Sequence, residues 1–579
     1  MQILGVDVGG TFTDAVLLDG GELRTAKVST SRQQEESVLA AARAVGAESV
    51  ERFSHGTTVA TNALLERKGA RTAFVGTAGF EHVLHLRRQT RAHLYRLCES
   101  HPAALVPLER CVGVRERMGP AGVLAPLDLS SLPELDAEAV AVCLLHAYRH
   151  PEHERAVAEE LRRRMPGAHV VASHEIAPEF REYERASTAA ADAYLGPVTS
   201  RYLRGLAAAA VASGLPEPLV MRSSGGVATV DEAAAHPALV LVSGPAAGAV
   251  GAARVAAEAG FPNAIAFDMG GTSTDVCLIV DGVAERSNER LVAGLPIRLP
   301  TIDVHTVGAG GGSIARVDAG GAVGVGPESA GADPGPACYG RGGTLPTVTD
   351  ANLLLGRLPD GLADGVELDR VAAERALGAL DPAAVVEVVN AEMLRALRVI
   401  SVERGHDPRD FALVAYGGAG PLHACTLAEE LGIRTVLVPA AAGVLSALGL
   451  VASDERRDRV ESRLVPLQEA GELPRDGEAD LRYVGQSFEL TIPLQPNLAS
   501  AFHRAHDERY GYADPAREIE LVAVRTAEVR PGPAFELPRA ELLTARGPAV
   551  LEQSGSTVFV PPGWVGVRDG SSTLKVTKP

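Results

Sequence analysis

A chain of 579 residues carries 55 basic and 73 acidic side chains, a formal net charge of −18, and shows no Lys/Arg stripe with interleaved aromatics, so a nucleic-acid partner is not expected. Hydrophobic residues make up 46% and aromatics only 4%, which predicts several cores built mainly from Ala, Val, Leu and Ile rather than one. Six scattered cysteines with no CxxC pair argue against a disulfide framework and a cysteine-built zinc site.

The chain opens on Gln2-Ile3-Leu4-Gly5-Val6-Asp7, without a basic stretch ahead of an apolar one, so no signal peptide and a cytoplasmic location are expected. Ile3–Val6 reads as a buried strand. It runs into Asp7-Val8-Gly9-Gly10-Thr11-Phe12-Thr13-Asp14, a second strand, and the tight turn Gly20-Gly21. Short buried strands follow at 71–76 and 139–145, a charged helix at 151–165, and alanine-rich helices over 178–212. The weakly polar run 237–253 is broken by Gly244-Pro245 and is too rich in glycine for a membrane span, and 244–259 reads as a helix of small residues.

At Ala264–Phe267 the opening pattern starts again. Asp268-Met269-Gly270-Gly271-Thr272-Ser273-Thr274-Asp275 repeats the first loop 261 residues later, followed by a strand and a turn at Gly282. Further on, Asp381-Pro382 opens a helix whose apolar stripe is Val385, Val389, Met393, Leu397 and Ile400. Ser453–Asp480 is charge-rich with Pro and Gly and reads as a surface linker, and the segments beyond it alternate like strands.

A Gly-Gly-Thr turn after a buried strand suits a phosphate. Glycines let backbone N–H groups approach an anion closely, and successive N–H groups form a concavity for it. The hydroxyls of Thr11, Thr13, Thr272, Ser273 and Thr274 add donors. Asp7 and Asp268 stand at the strand ends, where a carboxylate can hold Mg²⁺, an ion that takes one or two carboxylates plus phosphate and water. Two such loops facing each other predict ATP·Mg²⁺ between two related lobes. Gly308-Ala309-Gly310-Gly311-Gly312 lacks the GxGxxG spacing of a dinucleotide loop and is expected near the nucleotide instead, through Gly310 and Gly311.

The paired loops resemble the phosphate motifs of the acetate kinase/Hsp70/actin superfamily, and Tyr416-Gly417-Gly418-Ala419-Gly420-Pro421 resembles its adenosine motif, placing Gly417, Gly418 and Ala419 at the nucleotide. The stretches from Gly244 and from Ala440 resemble its two connecting helices. More specific stretches are Ser54-His55-Gly56-Thr57-Thr58, Arg222-Ser223-Ser224-Gly225-Gly226, Thr301-Ile302-Asp303-Val304-His305, Asp333-Pro334-Gly335-Pro336-Ala337-Cys338 and Pro346-Thr347-Val348-Thr349-Asp350. Together they resemble the hydantoinase A/5-oxoprolinase family, with the related acetone/acetophenone carboxylase subunits.

That resemblance implies an α/β, two-lobed, ribonuclease H-like fold with a smaller β-rich C-terminal domain. It divides the chain into a first lobe over 1–175, a second over 176–454, a linker over 455–480 and a tail domain over 481–579. It implies activation of a cyclic amide such as a hydantoin, 5-oxoproline or a related lactam by phosphorylation of its carbonyl oxygen, with hydrolysis completed by a metal-binding B-type subunit. A ketone carboxylase subunit and a nucleotide-gated binding module are the alternatives, and a homo-oligomer is compatible with either. The catalytic candidates are Asp7, Asp268, Thr57, Thr58, Asp303 and His305, with His55 and Asn62 also on the substrate side. Arg87, Arg88, Arg91 and Tyr95 suit a carboxylate substrate or a solvated helix face.

Overall fold

The computed structural model describes residues 2–362, 367–537 and 539–578. Its two large sheets are built on one plan. In the first, the strands Gln2–Val8, Phe12–Asp19, Glu22–Ser29, Val50–Gly56 and Leu219–Met221 lie in the spatial order third, second, first, fourth, fifth. In the second, Ala264–Met269, Thr274–Val280, Val283–Ala284, Ala412–Tyr416 and Thr435–Pro439 lie in the same order. The first three strands of each set are antiparallel hairpins, and the fourth and fifth run parallel to the first.

The hairpin turns need left-handed backbone, and the sequence supplies it. Gly20 and Gly21 have φ of 57° and 95°, and Asp281 and Gly282 have φ of 51° and 79°. Pairing sets the register of the carboxylates: Asp7 lies opposite Asp14, and Asp268 opposite Asp275.

Two helices cross where the sheets meet. Ser243–Glu258 and Leu445–Ala452 are made of small residues because their backbones touch. A Cβ on Gly449 would meet the Ala247 carbonyl oxygen at 1.9 Å, and one on Gly5 would meet the Ala447 carbonyl oxygen at 2.3 Å. Between the fourth and fifth strands of the first sheet the chain builds a separate five-stranded sheet, centred on Thr72–Thr77, and a helix over Glu182–Ala212 with Pro197 inside it.

Three boundaries differ from the sequence reading. The first lobe does not close at 175, because Leu219–Met221 and Val227–Ala228 complete its sheet. The segment expected as a linker over 455–480 starts with a twelve-residue strand, Glu455–Pro466, paired antiparallel with Ile519–Arg530. Its charges are satisfied across and along the sheet surface, as in Arg459–Glu528 at 2.8 Å and Arg456–Asp458 at 2.7 Å, so they do not signal a free loop. The tail over 481–579 is shared between the two sheets: Ile519–Arg530 extends the first, and Leu543–Arg546, Val565–Arg568 and Thr573–Thr577 extend the second.

Candidate nucleotide site between the lobes

Asp7 and Asp268 end equivalent strands and sit on equivalent neighbours. The fourth strand of each set passes so close that only glycine fits. A Cβ on Gly56 would meet Asp7 Oδ1 at 2.2 Å, and a Cβ on Gly417 would meet Asp268 Oδ1 at 2.2 Å. The carboxylates are thus held against bare backbone.

Their charges crowd. Burial, and then Asp14, push the Asp7 carboxyl up to about 7, with Lys27 pulling the other way. Burial, then Asp275, then Asp7 and Asp14 of the other lobe, push Asp268 up to about 8. Asp7 and Asp268 therefore feel each other across the lobes. Lys27 pairs with Asp14 at 2.6 Å, and Asp275 accepts a hydrogen bond from Thr306 at 2.5 Å. Asp7 Oδ1 is shut from solvent without a hydrogen-bond partner among the described residues. A divalent cation would relieve both the crowding and the unmet oxygen. Among the described residues no cluster of three or more His, Cys, Asp or Glu forms a metal-ligand set, which suits an ion taking most of its ligands from phosphate and water.

The glycine loops form one wall. Gly270 N–H donates to Ser273 O at 3.1 Å, and Gly9 N–H to Phe12 O at 2.9 Å, so the two loops share one turn geometry. The stretch from Gly308 packs behind the second loop: Gly311 and Gly312 N–H donate to Gly270 and Gly271 O at 3.0 and 2.7 Å. A cleft of about 270 Å³ runs past Thr11, Thr272, Gly311, Gly418 and Ala419, with Leu358, Pro359 and Leu422 at its apolar end. Gly310 and Gly417 support this wall from behind, the first against Gly271 and the second against Asp268.

The N-terminal region of the hydantoinase/oxoprolinase family matches residues 3–165, and the hydantoinase/oxoprolinase domain itself matches 185–459. The chain belongs to the hydantoinase/oxoprolinase family. Caprolactamase subunit alpha from Pseudomonas jessenii is 33% identical over 99% of both chains. The crystal structure of the ATP-dependent caprolactamase from that organism superposes with a TM-score of 0.86 at 31% identity, covering 99% of each chain. 5-Oxoprolinase 1 from Arabidopsis thaliana is 36% identical over 79% of this chain, which spans 42% of that protein. Acetone carboxylase, nucleotide-free, superposes with a TM-score of 0.78 at 25% identity over 100% of this chain and 99% of its own.

Within this family frame, several expected site residues serve the fold instead. Thr13 and Thr274 are fully buried; Thr13 Oγ1 is 3.0 Å from Thr30 Oγ1, and Thr274 Oγ1 donates to Ala309 O at 2.6 Å. On a strand, successive residues point to opposite faces, so Thr11 and Thr13 would share a face only within one strand, and the strand starts at Phe12 with Thr11 outside it. His55 is buried, with Nδ1 3.1 Å from Val6 O and Nε2 2.9 Å from the Tyr202 hydroxyl, and burial lowers its pKa to about 4. It is a neutral packing histidine. Thr57 accepts from Val59 N–H at 3.2 Å, whereas Thr58 Oγ1 is buried with no partner among the described residues, two residues beyond Gly56, which pairs with Asp7 in the sheet.

Asp303 and His305 do not line the cleft. The strand breaks at Asp303, whose carboxylate pairs with Arg404 at 2.5 Å. Burial, then Arg404, lower the His305 pKa, and Asp303 acts on it in the opposite sense. Arg88 grips Glu184 with two hydrogen bonds of 2.7 Å, and Arg87 donates to Pro102 O at 2.5 Å. Arg91 and Tyr95 are exposed.

Sequence reasoning missed Asp14, Asp275 and Lys27 as parts of the charge cluster. The signal was present, since both copies of the repeat end in Asp.

Proposed function

We propose that this chain transfers the γ-phosphoryl group of ATP to the carbonyl oxygen of a cyclic amide, a hydantoin, 5-oxoproline or a related lactam, as the kinase-like half of a two-subunit amide hydrolase. The observation that carries this reading is that both glycine loops, through Thr11 and through Gly270–Thr272, border one cleft, each following a strand that carries a buried aspartate, Asp7 or Asp268.

Amide resonance makes the carbonyl carbon a poor electrophile and the carbonyl oxygen a usable nucleophile. When that oxygen attacks the γ-phosphorus, an O–P bond forms, the bond to the β-phosphate oxygen breaks, and ADP leaves with the electron pair. The carbon is then an activated imidate that water can attack. Phosphoryl transfer asks a protein chiefly for positioning and charge compensation. Here Gly10–Thr11 and Gly271–Thr272 offer backbone N–H groups, Lys27 sits beside Asp14, and Asp7 and Asp268 would hold Mg²⁺, which neutralises charge building on the phosphates. Thr58, whose hydroxyl has no partner among the described residues, is the substrate-side candidate.

Lactam labelled with ¹⁸O at the carbonyl tests this. The reading predicts ¹⁸O in the released phosphate when the partner subunit is present, and little ring opening by this chain alone. Retention of all label in the ring-opened product would contradict carbonyl phosphorylation. The likeness to acetone carboxylase supports a second reading, the same transfer to a ketone enolate or bicarbonate; ketone-stimulated, lactam-independent ADP formation would favour it.

A further inference from the structure

The hairpin Ala549–Gln553 and Ser556–Val560 lines part of the cleft, and the chemistry above uses none of its side chains. Its tip touches both lobes. On the second, Ser556 Oγ donates to Gly417 O at 2.9 Å, and Gly443 lies so close that a Cβ there would meet Ser554 O at 2.5 Å. On the first, Ser554 Oγ is 3.2 Å from Thr25 Oγ1, and a Cβ on Gly555 would meet Lys27 Cε at 3.1 Å.

Gln553 is held in this clamp and lines the cleft. Its Oε1 and Nε2 are both closed to solvent, and neither has a hydrogen-bond partner among the described residues. A carboxamide presents one acceptor and two donors side by side. Buried unpaired, it destabilises the chain; paired with a ligand edge of alternating donor and acceptor, it does not. The apolar end of the same cleft, at Leu358, Pro359 and Leu422, suits a flat ring.

We propose that Gln553 reads the base of the nucleotide, with Oε1 accepting from the exocyclic amino group of adenine and Nε2 donating to the adjacent ring nitrogen. This is the bidentate match of a glutamine amide to adenine. Guanine places a carbonyl oxygen where adenine has its amino group, so Oε1 would face another acceptor. The inference rests on the proposed ATP site and adds a selectivity residue to it, supplied by the C-terminal hairpin.

Calorimetric titration of the full chain with non-hydrolysable Mg·ATP, Mg·GTP and Mg·2′-deoxy-ATP analogues tests it, using the parent, Gln553→Ala and the near-isosteric Gln553→Met. Thermal transitions without nucleotide confirm that each variant folds. The parent should prefer the ATP analogue over the GTP analogue on the order of 10- to 100-fold. Both variants should bring that ratio to within about threefold, mainly by weakening ATP. If the parent binds both analogues and the ratio survives in both variants, this proposal is overturned while the nucleotide site stands. Should the variants instead lose only the preference for ATP over 2′-deoxy-ATP, the amide reads ribose and the base assignment is wrong. If the parent binds no nucleotide, the ATP reading falls and takes this inference with it.

Discussion

Burial and Asp14 hold the Asp7 carboxyl up near 7, so without a cation the folded state prefers Asp7 protonated. A carboxyl raised in the folded state contributes stability that is present below its unfolded value near 4 and is lost as pH rises towards 7. In a chelating buffer the parent should therefore lose a few kcal/mol of stability between about pH 4 and 7. Asp7→Asn should flatten that window in denaturant titrations, while cutting substrate-stimulated ADP release by about two orders of magnitude or more. A variant less stable than the parent at pH 8 without metal would contradict the crowding seen at Asp7. The equivalence of Asp7 and Asp268 was legible from the repeat, because identical residues recur at identical offsets. The inward turn of Thr13 and Thr274 was not, because which hydroxyl meets phosphate is decided by the turn and by Thr30 and Ala309.

Helices with strong local patterns were read correctly. Asp381 caps the helix Pro382–Ile400 by accepting from Ala383 N–H at 2.9 Å, and Val385, Val389, Met393, Leu397 and Ile400 are buried as their spacing requires. The strand Glu455–Pro466 was hidden because its partner starts at Ile519, and nothing local records a pairing that distant. The connecting helices carry their own test. Gly449→Ala puts a methyl group where the Ala247 carbonyl oxygen already sits, and overpacking at such a crossing costs about 1–3 kcal/mol. A lowered urea midpoint with an unchanged slope is expected; an unchanged midpoint would mean the helices part more readily than the geometry implies.

Long-range charge ties the molecule together. Buried Glu179, just before the long helix, pairs with Arg298 at 2.6 Å and with Arg525 at 2.7 Å, and Arg525 also reaches Asp480 at 2.7 Å. Burial opposes ionisation of Glu179, yet Arg525 and Arg298 hold its pKa below the ordinary value. Such a group stabilises the fold above its unfolded pKa and loses that contribution as pH falls through the folded one. Glu179→Gln removes the carboxylate shared by two buried arginines, which keep Asp480, Glu489 and Glu289 as partners, and should cost about 1–3 kcal/mol at neutral pH, while removing part of the parent's loss of stability below about pH 4.5. Equal acid sensitivity in parent and variant would place that loss elsewhere. Neither this network nor the hairpin of Gln553 was visible in the sequence, because each joins segments hundreds of residues apart.

ADP release by the purified chain with Mg·ATP, across hydantoins, 5-oxoproline, other lactams and ketones, tests the central claim most directly. The account predicts stimulation by one class of cyclic amide, abolished in the Asp7→Ala/Asp268→Ala double variant. Stimulation that survives the double variant would contradict it, and so would failure of ATP to bind at all.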